Sequence, residues 1–79
     1  MRKSVHTEQY RVLITRLTEA RTDAGLTQQQ LADLLGRPQS FVAKYENGER
    51  RLDVVEFLEI AGQIEADPHA IIDLVLKTR

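Results

Sequence analysis

The stretch QQQLADLLGRPQSFVAKYENG, Gln28 to Gly48, holds two short apolar stripes of helical period around one glycine. Leu31, Leu34 and Leu35 make the first stripe; Val42 and Tyr45 make the second. Steps of three and four residues are the mark of an amphipathic helix, whereas a half-buried strand alternates at every second residue. Gly36 lies between the stripes, and glycine takes the positive φ of a sharp helix–helix turn without steric penalty. Ala32 is small where a second helix would cross closely. Two helices this short, joined this tightly, must pack on one another. The second carries Gln39, Ser40, Ala43 and Lys44 away from its apolar side, and nothing there is equipped for covalent chemistry.

The rest of the chain is helical in pattern, with no run of strand-like alternation. Tyr10, Leu13, Ile14, Leu17 and Ala24 predict a first helix over about 7–24, stopped by Gly25. Thr27 followed by Gln30 is a capping-box pattern that opens the second helix, with Gly36 ending it. Pro38 suits the first turn of a third helix, where its missing N–H costs nothing, and Gly48 ends that helix. Asp53 with Glu56 repeats the capping pattern for a fourth helix, with Val54, Phe57, Leu58 and Ala61 expected inside. Asp67 as N-cap and Pro68 as first helical residue open a fifth, whose apolar residues are Ile71, Ile72, Leu74, Val75 and Leu76. The expectation is an all-α five-helix bundle forming one domain over 1–79, without repeats or linkers.

Composition narrows the function. A 79-residue chain buries only about 60% of the surface its unfolded form exposes, so pairing with a second subunit is a natural source of stability. The absence of cysteine excludes a disulfide framework and a thiolate metal site, and fits a cytoplasmic protein. The start MRKSVHTEQYR has two cations but no apolar run behind them, so no signal peptide is expected. No stretch approaches the roughly 20 apolar residues of a membrane span. Net charge is −1, but it is unevenly spread. Residues 1–51 carry nine cations and six anions, and residues 52–79 carry two and six. A basic first half is compatible with a nucleic-acid partner despite the balance of the whole.

Leu26 to Ile72 resembles the lambda-repressor/Cro-like (XRE-type) helix-turn-helix family. The likeness rests on Leu26-Thr27-Gln28, Leu31-Ala32, Gly36 and Tyr45-Glu46-Asn47-Gly48. Two positions depart from the family pattern: Pro38 stands where a Ser or Thr cap is common, and Arg37 where an apolar residue is common. Neither breaks the fold, and both bear on the tilt of the third helix in a groove. The resemblance implies a five-helix bundle that binds operator DNA as a dimer and regulates transcription.

Within that frame the polar side of the third helix acquires a purpose. Gln39, Ser40 and Lys44 are expected to read base edges, since amides bond adenine and lysine bonds guanine acceptors. Phe41, at the edge of that side, is expected either to touch a thymine methyl or to be partly buried between helices. Gln28, at the start of the second helix, is expected to hold a phosphate with the free N–H groups there, or to serve only as a cap. Arg37, Asn47, Arg50 and Arg51 suit phosphate contacts, with plain solvation as the alternative for the arginines. Arg21 and Glu46 lie on inward stripes and carry opposite charges, so an ion pair is expected; the resemblance adds that this pair braces the reading helix. Ile72 and Leu76, four apart, are assigned to a dimer interface, with Ile71 and Val75 turned inward and Leu74 beside them; the alternative places all five in the core. His6 and His69 are expected at the surface, and Glu56 and Glu59 in solvent. No metal and no cofactor are expected.

The functional expectation is a dimeric transcriptional regulator, most simply a repressor, that binds double-stranded operator DNA and is controlled by its own concentration or by a regulatory protein partner. An antitoxin or a restriction-modification controller would share the unit. A protein-interaction module that has lost DNA binding is the rival from another class. An enzyme is disfavoured, for no nucleophile–base pair or metal cluster is visible.

Overall fold

The computed structural model describes residues 7–78. His6, Arg2, Lys3 and Arg79 lie outside the described residues. Five helices follow one another: α1 (Glu8–Asp23), α2 (Gln28–Leu35), α3 (Gln39–Glu46), α4 (Val54–Gln63) and α5 (Pro68–Lys77). Each boundary has a local cause. Thr7 caps α1 through the Tyr10 N–H. Thr27 and Asp53 head complete capping boxes with Gln30 and Glu56. Asp67 caps α5 and Pro68 is its first residue. Pro38 sits at the N-cap of α3 and has no side chain to offer the helix end. Gly36 closes α2 at φ 69°, and Gly48 follows α3 at φ 78°, both left-handed.

α2 and α3 pack against each other; α1 packs on α5 and α3; α2 also packs on α4. Leu17, Leu31, Val42, Tyr45 and Ile60 are fully buried where these helices meet. The expected stripe of α4 is corrected. Phe57 and Ala61 are buried as expected, but Val54 and Leu58 are exposed, and Ile60 and Ile64 join the core in their place. Both sets repeat at three- and four-residue steps, so periodicity could not choose between them. The observed set runs one turn further and brings in Ile64 at the helix end. Leu34 and Ala24 also face outward rather than inward. In α5, Ile71 is buried and Val75 half-buried, while Ile72, Leu74 and Leu76 are 43%, 40% and 60% exposed. All five residues of that helix therefore do not share the monomer core. Among the described residues, no helix is long and apolar enough to cross a membrane.

Candidate nucleic-acid interface

α3 is short and has two unlike sides. Phe41, Val42 and Tyr45 are buried, whereas Gln39, Ser40, Lys44 and Asn47 are exposed. With about 100° between successive residues, Gln39, Ser40, Ala43, Lys44 and Asn47 form one continuous outward strip. No salt bridge engages Lys44 among the described residues. The strip is thus largely uncharged at its start and cationic one turn later.

A chain of polar contacts fixes the start of this strip to the body. The Gln39 amide donates to Gln28 Oε1 at 2.7 Å. The Gln28 amide donates to Glu46 Oε1 at 2.9 Å. Arg21 donates to both Glu46 oxygens, through Nε at 2.7 Å and a terminal nitrogen at 3.0 Å. Its other terminal nitrogen reaches the Leu26 carbonyl at 2.7 Å, tying the α1–α2 turn into the same network. The Arg21 and Glu46 side chains are 11% and 5% exposed. The hydrogen bonding it donates to Glu46 is the chief reason the Arg21 guanidinium holds its proton more tightly than usual, against the opposing effect of burial. Gln28 is the first residue of α2, and the cap is Thr27. Its side chain therefore links α2 to α3 rather than capping its own helix.

A second cluster lies on the flank of α3. Phe41 is only 7% exposed. Its ring meets Tyr45 edge-on at 5.5 Å, and the guanidinium groups of Arg37 and Arg50 lie over it at 4.3 and 4.9 Å from its centroid. Of the two expectations for Phe41, this covering favours burial between helices over contact with a base. The expectation for Glu56 is corrected. It is buried rather than solvated, and accepts two hydrogen bonds at 2.9 Å from Arg50 and one at 3.4 Å from Arg37. These bonds, led by Arg50 and followed by the Asp53 N–H, hold its carboxyl down at about 2. The same hydrogen bond raises the proton affinity of Arg50.

Tyr10 fixes the loop after α3. Its hydroxyl donates to the Arg50 carbonyl at 3.3 Å and accepts from the Leu52 N–H at 3.1 Å, and Arg51 stacks over its ring at 4.4 Å. Sequence reasoning gave Tyr10 only a core role and missed this one. A phenol at the start of a helical stripe has no signal that separates the two. The structure thus brings Gln28, Gln39, Glu46 and Arg21 into one network and Arg37, Phe41, Arg50 and Glu56 into another. Ser40, Lys44 and Asn47 stand exposed between them, and Ile72 and Leu76 lie on a different helix, α5. His69 is exposed on α5, and Glu59 is exposed on α4.

Likeness to known proteins runs along the same residues. The profile of a helix-turn-helix family matches residues 17–69, from α1 into α5. Among solved structures, an XRE-family like protein from Pseudomonas syringae pv. tomato str. DC3000 is 49% identical over 92% of this chain and 89% of its own, with a TM-score of 0.85. No curated protein matches the chain.

Proposed function

Because the chain belongs to the XRE-type helix-turn-helix family, a family of DNA-binding regulators, we propose that it is a sequence-specific transcriptional repressor that reads the major groove as a dimer. The observation that carries this reading is the outward strip of α3. Its other side is buried, so α3 is held as a rigid rod with Gln39, Ser40 and Lys44 projecting from it. Gln39 is further steadied by Gln28, which favours one amide geometry over many. A pre-set amide and an exposed ammonium match the acceptor and donor pattern of base edges in the major groove. Asn47 and Arg51, beyond the C-terminal end of α3, and the N-terminus of α2 supply backbone contacts on either side.

One α3 spans only a few base pairs, too few to single out one genomic site. Two copies on half-sites roughly 34–36 Å apart would double the sequence read. The exposed Ile72 and Leu76 of α5 are assigned to that dimer contact. Selection of genomic fragments on the purified chain, followed by gel shift, tests the proposal. Recovery of a two-fold motif with half-sites one helical turn apart is the expected result. Failure to retard any fragment would leave the fold as a protein-interaction module.

A further inference from the structure

The acidic half of the chain touches the proposed DNA-binding flank at Glu56. This residue, in the first turn of α4, places its carboxylate against Arg37 of the α2–α3 turn and Arg50 of the loop after α3. Arg50 meets both carboxylate oxygens at 2.9 Å, and Arg37 meets one at 3.4 Å. Both guanidinium groups also lie over Phe41, the third residue of α3, next to Ser40. Two cations that bracket the reading helix are therefore gathered on one anion at its root. Capping does not account for this. The capping box needs only the bond from the Asp53 N–H, and glutamine serves that position as well as glutamate.

A carboxylate and a phosphate offer a guanidinium the same fork of oxygens. An arginine that holds one with both terminal nitrogens has little left for the other. Resting on the DNA-binding reading above, we propose that Glu56 is a built-in competitor of the DNA phosphate: it occupies Arg37 and Arg50 and lowers the affinity for DNA of any sequence. The side chain of Glu56 is 11% exposed, whereas Arg37 and Arg50 are 36% and 39% exposed. The anion is thus enclosed, while the cations remain at the surface. Pulling Arg50 toward a phosphate would strip the enclosed carboxylate of its two shorter ion contacts, and that penalty opposes transfer.

The test is the salt dependence of binding to a duplex of random sequence, with the full chain. Each phosphate neutralised steepens log K against log salt by about 0.9. Glu56→Gln keeps the capping box and removes the competitor. It should steepen the slope by about 0.9–1.8, for one or two released arginines. That adds roughly 3.5-fold in affinity per contact between 0.2 and 0.05 M salt. The ratio of specific to random binding should not change, since a phosphate contact strengthens both alike. Adding Arg37→Gln and Arg50→Gln to Glu56→Gln should return the slope to the wild-type value. An unchanged or shallower slope in Glu56→Gln overturns the proposal, the shallower one by showing that Glu56 presents the arginines to DNA. A triple variant flatter than wild type overturns it as well, and stands even if the single variant folds poorly. Wild-type protein that binds no DNA would instead overturn the functional reading on which the proposal rests.

Discussion

Replacing Arg21 by methionine should unfold much of what holds α3 in place. The substitution keeps most of the apolar stem and removes the guanidinium. Glu46, 5% exposed, then loses two hydrogen bonds at 2.7 and 3.0 Å and keeps only the Gln28 amide. Leaving one member of a buried pair uncompensated costs about 3–5 kcal/mol. For 79 residues, an unfolding entropy near 2.1 cal/mol/K per residue gives about 0.17 kcal/mol/K, so a 3 kcal/mol loss lowers Tm by roughly 18 °C. Thermal melts followed by circular dichroism, with urea titrations for the free energy, measure this. The double variant Arg21→Met with Glu46→Met removes both charges. It should recover most of the stability, since a buried pair replaced by apolar groups is often neutral. It should not recover DNA binding, because Gln28 has lost the acceptor that orients it toward Gln39. A loss below about 1 kcal/mol for Arg21→Met, as for an exposed pair, would refute the reasoning. So would a double variant as unstable as the single one.

Four other outcomes are expected. Tyr45→Phe should leave stability unchanged or raise it by up to about 1 kcal/mol, because the buried hydroxyl finds no partner among the described residues; a clear loss in urea denaturation would show that it has one. Glu56, lowered to about 2 from an ordinary 4.5, favours the folded state fully above pH 4.5 and loses that contribution as pH falls toward 2; Glu56→Gln should flatten the acid limb of the stability–pH curve, and an identical limb would contradict the ion cluster. Gln39→Ala and Lys44→Ala should each lose about 1–3 kcal/mol of discrimination at one or two operator positions per half-site, and a uniform loss across random and specific duplexes would assign them to the backbone. Leu76→Glu should give a folded monomer by sedimentation, with full helical circular dichroism and weak operator binding; a dimer that persists would place the interface elsewhere.

The helices were legible because their ends are written in local chemistry. Thr27 with Gln30 and Asp53 with Glu56 mark capping boxes, and Asp67-Pro68 marks a helix start, whatever the tertiary context. The glycines at 36 and 48 mark ends because their positive φ is costly for other residues. Which side of a helix is buried was less legible. α4 has enough apolar residues for two overlapping stripes that share Phe57 and Ala61, and only packing against α2 and the rest of the core selects Ile60 and Ile64 over Val54 and Leu58. The capping by Glu56, the core place of Tyr10 and the edge burial of Phe41 were legible, but their further roles were not. Each depends on a partner far along the chain: Phe41 on Arg50, Glu56 on Arg37, Tyr10 on the backbone of residues 50 and 52. Spacing within one helix carries no information on such contacts.

The uneven charge of the chain takes on a different meaning once these contacts are drawn. Counted along the sequence, residues 1–51 have a surplus of three cations. In space, Arg21 is held by Glu46 of the same half, while Arg37 and Arg50 share the charge of Glu56 from the other half. The surplus available to a phosphate backbone is therefore smaller than the count. Sequence-independent affinity grows with the number of phosphates neutralised, so a chain arranged in this way starts from weak general binding. On the proposed reading, the base contacts of Gln39, Ser40 and Lys44 and the doubling of those contacts in a dimer must then supply most of the difference between an operator and the rest of the genome. The Arg21–Glu46–Gln28–Gln39 chain serves that end: when few contacts carry the discrimination, an amide held in one orientation contributes more than one that must be ordered on binding.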